Sequence, residues 1–556
     1  MYLYTWDKQT YDDSGQPLLL PSKKGNTDPR LRQWMDNSSN ITLNALLNYD
    51  RTFNKHDVKA LFATERIAGD NMNFWAFRRS YTSEILDELD LGSNALKDNG
   101  GSSSVVRRLN YFGRVSYAYD SKYLAEFVWR YDGSYIFDPV GKQFGFFPGI
   151  SLGYRISKEN FWKDNISFIN EMKIRGSWGK TGNDRIAPYQ YLTTYGYNGS
   201  YVFNESVSEQ ALRALRIPNE GVTWEIANQS NIGFDAQLLN NKLTISADYF
   251  NNLRTNILAY RNASVPGSAG LNLPRENIGK VVNKGFEFQV SYLDNTGDLS
   301  YQVSVNGAYS KNHIKFWDET PGNPEYQKST GNQMNARLYY QAIGVFIDAA
   351  AIDKYPHWNG ARPGDIIFKD VNDDGKIDGL DRVRSNKTTI PTFTGGFTID
   401  LEYKRFYATI LFQGAAGAER SYRTFSGGPG VGNFMYNLVK DRWTPDNPSA
   451  ENPRAWERGG AYWMTDGEPN NTYFVRSSDY LRLKNFEIGY SLPSGYTEKI
   501  GIQSLRVYVS ALNFLTFTKM KDFDPESPDD APGSIWVNSQ VYPLNKTTNI
   551  GLTVTF

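Results

Sequence analysis

The sequence predicts an all-β fold, a large antiparallel transmembrane β-barrel, and three observations predict it. Segments of about ten residues with period-two alternation recur from end to end. The connections between them alternate between very short and very long. The last seven residues, Ile550-Gly551-Leu552-Thr553-Val554-Thr555-Phe556, put Ile550, Leu552, Val554 and Phe556 on one face and Gly551, Thr553 and Thr555 on the other, and the chain ends on an aromatic residue. Such a strand suits lipid on one side and water on the other.

Taken in chain order, the strand signal begins at Ile41, Leu43, Ala45, Leu47 and Tyr49, which alternate with Thr42, Asn44 and Asn48. Phe286, Phe288, Val290 and Tyr292 alternate in the same way with Glu287, Gln289 and Ser291. The sharpest case sets Phe397, Ile399, Leu401 and Tyr403 against Thr398, Asp400 and Glu402, two carboxylates opposite four large apolar groups. Leu505, Val507, Val509 and Ala511 against Arg506, Tyr508 and Ser510 repeat it. Tight turns are expected at 119–122, 239–242, 294–298 and 403–405. Long loops are expected at 181–225, 258–281, 311–335, 346–390 and 414–475, too long for a compact soluble sheet. Turns on one side and long loops on the other describe an outer-membrane barrel of about sixteen strands.

Composition agrees. At 556 residues the chain exceeds a single soluble core, whereas a barrel needs no thick core. Aromatics reach 15% while charged residues hold at 22%, so lipid-facing, interfacial and water-facing positions are all supplied. No run approaches the roughly 18 apolar residues of a membrane helix, so any crossing is made by strands. There is no cysteine, which excludes a disulfide framework and thiolate metal sites. Lys plus Arg equals Asp plus Glu at 60 each, leaving no basic field for nucleic acid. The first residues show no charged n-region followed by an apolar h-region, so no signal peptide is read there.

Leu109-Asn110-Tyr111-Phe112-Gly113-Arg114-Val115-Ser116-Tyr117, then Tyr131-Asp132-Gly133-Ser134 and Gly145-Phe146-Phe147-Pro148-Gly149-Ile150-Ser151, resemble the SusC/RagA family of TonB-dependent outer-membrane transporters. Lys173-Ile174-Arg175-Gly176-Ser177-Trp178-Gly179-Lys180-Thr181-Gly182-Asn183-Asp184, Arg442-Trp443-Thr444-Pro445 and Asp479-Tyr480-Leu481-Arg482-Leu483-Lys484-Asn485 are similar to it as well. So are Leu512-Asn513-Phe514-Leu515-Thr516-Phe517 and Asp524-Pro525-Glu526 near the end. The resemblance runs in family order from about residue 105 to 556. It implies a barrel of about 22 strands, occluded by an amino-terminal plug, paired with a SusD-like surface lipoprotein that captures oligosaccharides or peptides, and driven by the TonB complex. No plug or TonB-contacting segment is read before residue 41, and about six strands are not accounted for, so the chain is expected to be the carboxyl-terminal part of such a transporter, with the closing partner of its final strand outside it. The expected division is a loop and strand remnant of the barrel over 1–40 and the barrel proper over 41–556, with a calcium-loop insertion at 362–385.

That insertion is the one stretch with local chemistry. Asp370-Val371-Asn372-Asp373-Asp374-Gly375-Lys376-Ile377-Asp378-Gly379-Leu380-Asp381 places oxygen donors at loop positions 1, 3, 5, 9 and 12, with glycine at 6 for the sharp turn. Asp370, Asn372, Asp374, the Lys376 carbonyl, Asp378 and Asp381 are the candidate ligands of a structural Ca²⁺. Aspartate at position 12 is nearer the dockerin-like version, and no flanking helices are evident. The competing expectation is a self-capping Asp/Asn/Gly turn.

Enzyme chemistry has little support. His56, His313 and His357 are the three histidines, and none has zinc or triad spacing. No glycine-rich phosphate loop opens a helix. The loop over 414–475 gathers Tyr422, Phe425, Phe434, Tyr436, Trp443, Trp456, Tyr462 and Trp463, rings that either stack on cargo or pack the loop on itself. The leading expectation is nutrient uptake in the outer membrane, with Glu287, Asp400 and Glu402 lining an aqueous lumen. A soluble surface β-protein, an adhesin or carbohydrate-binding module, is the alternative. A passive porin or a carbohydrate-processing barrel comes third.

Overall fold

The computed structural model describes residues 2–11, 13, 17–23, 29–81, 85–95, 97–203, 207–215, 217–261, 273–421, 425–426, 433–434, 440–449, 451–454, 470–521, 523–527 and 544–556. Fifteen strands form one antiparallel sheet: β1 (Arg30–Phe53), β2 (His56–Arg79), β3 (Lys97–Tyr119), β4 (Tyr123–Ser134), β5 (Phe144–Tyr154), β6 (Ile169–Asn183), β7 (Glu225–Leu238), β8 (Leu243–Ala259), β9 (Glu276–Thr296), β10 (Leu299–Phe316), β11 (Phe393–Tyr403), β12 (Phe406–Ala416), β13 (Tyr480–Ser491), β14 (Ser504–Thr518) and β15 (Thr547–Thr555). Each pairs with its neighbours in sequence, so the order across the sheet is β1 to β15 with no crossover, and β1 and β15 are its edges. Ahead of β1 a separate ladder joins Tyr2–Tyr11 to Pro17–Lys23. Residue 41, the expected start of the barrel, lies inside β1 and marks no structural break.

The tight turns fall where the sequence places them, and backbone conformation explains their composition. Two-residue hairpins favour left-handed residues because that twist matches the flanking strands. Asn54, Asp120, Ser121, Leu239, Asn240, Asn241, Gly297 and Lys404 all have positive φ. At the other end the strands are joined by 80–96, 135–143, 184–224, 260–275, 317–392, 417–479 and 519–546. Residues 336–345, between two loops expected to be separate, add no strand to the fifteen-stranded sheet. They contribute two short ladders within the single connection 317–392.

Register sorts the side chains into two faces, because directly opposed residues of an antiparallel pair project to the same side. One row runs Met172, Ala236, Ile245, Val290, Val305, Phe397, Phe412, Leu483 and Leu515 across nine strands. The adjacent row runs Leu238, Leu243, Tyr292, Val303, Ile399, Ile410, Phe486 and Ala511. The opposite face carries Lys173, Asp235, Ser246, Gln289, Asn306, Gly396, Gln413, Arg482 and Thr516 in one row. Glu287, Asp400 and Glu402 lie on this polar face, as expected.

The apolar rows form a band with rings at both ends. At the turn end are Tyr403, Phe406 and Tyr490, the last two with ring centroids 4.6 Å apart. At the loop end one row holds Tyr249, Phe286, Tyr309 and Phe393. From Phe393 to Tyr403 is ten residue steps, about 34 Å of strand, or about 25 Å of height at the usual barrel tilt. That is the thickness of the apolar zone of an outer-membrane barrel. Ile232 is 60% exposed, Leu552 63% and Ile550 83%, so in water this band would be an apolar patch far beyond what soluble proteins carry.

The chain divides into two compact units, residues 1–47, 62–112 and 130–135 in one and 48–61, 113–129 and 136–556 in the other. In the first, Arg32 lies 4.4 Å from the Trp75 ring centroid and Arg107 pairs with Asp70 at 2.6 Å. The second holds the rows above and the long loops.

The two faces should respond oppositely to charge. Ile399→Arg is expected to cost about 2–4 kcal/mol and Thr398→Arg less than about 1 kcal/mol. The urea unfolding midpoint in lipid vesicles measures the difference, and equal effects would contradict the assignment of faces.

Candidate functional site in the long loops

The connections 317–392 and 417–479 fold on each other. Leu338–Tyr340 pairs with Arg382–Arg384, Ala342–Val345 with Ile366–Phe368, and Glu419–Ser421 with Val475–Ser477. Between the two loops, the Tyr340 amide donates to the Asn470 carbonyl at 2.9 Å and the Ala342 amide to Thr472 Oγ1 at 2.9 Å. Tyr340, Ile366, Phe368, Ile377 and Phe474 make a buried core, with Phe346 and Ile367 beside it. Asp365, 2% exposed, pairs with Arg454 at 2.8 Å, and burial holds its carboxyl above the ordinary aspartate range. Gly364 has φ +90°, and a Cβ there would stand 2.6 Å from both Trp443 and Arg454, so only glycine fits.

The predicted calcium loop sits on this module. Ile377, at loop position 8, is buried in the core and fixes the loop's centre, while Asp373 (φ 56°) and Gly375 (φ 80°) supply its two left-handed bends. Asp370 Oδ2 accepts from the Gly375 amide at 2.8 Å, Asp374 Oδ1 from Lys376 at 2.9 Å and Asp378 Oδ1 from Leu380 at 2.7 Å. Asn372 Nδ2 donates to Asp374 Oδ2 at 3.1 Å. Asp381, fully buried, accepts from the Val371 and Asp378 amides, both at 2.7 Å. Gln327 and Tyr326 hold the loop's far side, donating to the Leu380 carbonyl at 3.1 and 2.8 Å. A 3-10 turn, Gly379–Asp381, closes the loop. Among the described residues no three His, Asp or Glu side chains gather as around an ion, and the loop carboxylates accept from the loop's own amides.

Of the loop aromatics, Trp443 donates from Nε1 to the Ile347 carbonyl at 2.9 Å, which ties its loop to the neighbouring connection 317–392. Phe425 and Phe434 pair through their backbones. Tyr422, Tyr436, Trp456, Tyr462 and Trp463 lie outside the described residues. His56 shares a hydrogen bond with the Tyr117 hydroxyl at 2.8 Å beside a turn, and His357 one with the Trp358 carbonyl at 3.0 Å.

Two ionic clusters were not anticipated. On the polar face Arg175 bridges Asp235, at 3.0 Å, and Asp248. Arg175 also lines a recess of about 360 Å³ with Asp57, Lys59, Glu126 and Lys173. Arg482, 2% exposed, holds Asp524 at 2.7 Å together with Glu526, and donates from Nε to Thr516 Oγ1 at 2.9 Å. It thereby clamps the start of the connection 519–546 against β13. Both partners stood in motifs already singled out, yet nothing in their spacing links a strand residue to carboxylates beyond the next strand.

The family described as TonB dependent receptor-like, beta-barrel matches residues 1–514. The chain belongs to this family. Its likeness is to the SusC/RagA type of TonB-dependent receptor. TonB-dependent receptor P3 of Formosa agariphila is 30% identical over 543 residues, covering 94% of this chain and 52% of that protein. TonB-dependent receptor SusC of Bacteroides thetaiotaomicron is 26% identical over 497 residues, covering 86% and 46%. In fold, the RagAB peptide importer in its open-open state aligns with a TM-score of 0.72 at 22% identity, over 95% of this chain and 56% of that one. The chain spans about half the length of the curated relatives it matches. As a TonB-dependent receptor barrel it is an outer-membrane protein.

Arg482→Ala would leave Asp524 part-buried without a cation and Glu526 with Lys484 alone, and losing one partner of a buried pair typically costs about 3–5 kcal/mol. Tryptic cleavage after Lys519 and Lys521 is expected to accelerate at least about a hundredfold. Unchanged cleavage kinetics would show that the clamp does not hold the loop.

Proposed function

We propose that this TonB-dependent receptor imports an oligosaccharide or a peptide across the outer membrane, with a SusD-like lipoprotein capturing cargo at the long-loop end and the TonB complex supplying energy from the turn end. The observation that carries this reading is the division of one continuous sheet into an apolar band about 25 Å tall and a polar face lined with charge. The polar face offers Arg175, Asp248, Glu287, Asp400 and Glu402 to hydrated, hydrogen-bonding cargo. The folded loop module supports the capture end, because a rigid loop loses less entropy on binding. In cells carrying the receptor, labelled oligosaccharide or peptide is expected to enter only when TonB is functional. Entry at the same rate without TonB would overturn the proposal and favour a passive pore.

We further propose that Asp370, Asn372, Asp374, the Lys376 carbonyl, Asp378 and Asp381 hold a Ca²⁺ that stiffens the module. The all-oxygen donor set suits a hard cation, and the anchored Ile377 and two left-handed bends support the fit. Bound, the ion would offset the mutual repulsion of the carboxylates. Tryptic cleavage after Lys376 is expected to quicken on chelation in the unmodified protein. Asp370→Asn, which keeps an amide-accepting oxygen but loses charge, should make cleavage insensitive to chelator. Equal cleavage with and without chelator in the unmodified protein would remove calcium from the account.

A further inference from the structure

Directly loopward of the aromatic row Tyr249, Phe286, Tyr309 and Phe393, the apolar face changes character. The next row places Lys284 opposite Lys311 on adjacent strands, and both are exposed. Like charges directly opposed across a ladder destabilise it unless an anion lies between them. The protein does not provide one among the described residues, where neither lysine has a carboxylate partner. The carboxylates at the loop ends of β7 and β9, Glu225 and Glu276, are taken by Arg254 and Arg261. The connection 260–275 contains no Asp or Glu at all. His313, two residues on from Lys311, lies in the combined field of Lys284, Lys311 and Lys315.

The position of this cluster identifies its counter-ion. The face is the one whose rows meet lipid, the rings beneath it mark the edge of the apolar zone, and the long-loop end faces outward. We propose that Lys284 and Lys311, with Lys315 and His313, bind the phosphate groups of outer-leaflet lipid headgroups. A phosphate between two opposed ammonium groups cancels their repulsion and takes a charge-assisted hydrogen bond from each. The lipid's acyl chains then lie along Phe286 and Phe288. An open face bordered by acyl-binding rows suits a phosphate tethered to a lipid, whereas a free phosphate ion would gain nothing from those rows. The proposal needs only that the long loops point outward, and it is independent of what the receptor imports.

The test uses the purified protein in detergent, with bisphosphorylated lipid A and its dephosphorylated counterpart as probes and native mass spectrometry as the readout. The phosphorylated lipid is expected to bind at least about tenfold more tightly, and K284Q/K311Q to abolish that preference while keeping heat-modifiable migration. Equal binding of the two lipids by the unmodified protein would overturn the proposal. So would an undiminished preference in the double variant, or displacement of the lipid by millimolar inorganic phosphate, which would make the ion alone the ligand. TonB-dependent uptake, measured separately, keeps its failure distinct from failure of this site.

Discussion

Every strand in this sheet must satisfy its backbone laterally, because lipid offers no hydrogen-bond partner to a bare N–H or C=O. Pairing each strand only with its neighbours in sequence meets that demand without any crossing connection. Register then becomes strict. A slip of β11 by one residue against β10 would turn Ile399 from the apolar band to the polar face and push Asp400 into lipid. The alternation of side chains and the ladder of backbone bonds are therefore one constraint seen twice.

That constraint is local, and it explains what the sequence made legible. Alternation at Phe397 to Tyr403 and the turns at 119–122 and 403–405 are set by residues adjacent in the chain, and all stand where expected. The glycine of the calcium-type spacing at 370–381 marked the sharp turn at Gly375, while the second bend at Asp373 and the anchoring of Ile377 in the core show only in the structure. What escaped depends on partners far along the chain. The packing of 338–345 against 470–477 follows from two separately ordinary loops meeting in space. Residues 336–345 alternate well enough to pass for a strand, but their partners lie in the module and not in the sheet. Opposed lysines on β9 and β10 are likewise invisible until register sets position 284 against 311.

The ladder relaxes at several places, and at one of them sits a buried charge. Lys484 is an extra residue in β13 relative to β12, and Asn513 adopts positive φ in the facing stretch of β14. Bulges of this kind re-aim neighbouring side chains. Two residues before Lys484, Arg482 points onto the polar face and meets Asp524 and Glu526, so an irregularity in the wall becomes the fixing point for an outer connection. A buried cation tolerates such a place only with its donors matched, which the two carboxylates and Thr516 provide.

The sheet and the loop module also differ in how far apart in the chain their contacts lie. Neighbouring strands can meet as hairpins, one after another, so the wall can be laid down in sequence order at little loop-closure cost. The Ala342 amide and Thr472 Oγ1 are 130 positions apart, and β11 and β12 lie between them in the chain. The module therefore closes only after β11 and β12 have brought its two halves to the same end of the sheet. A chain halted partway through assembly would carry a finished run of wall beside an unmade loop module, and the joining of 342 to 472 would mark the completion of that module.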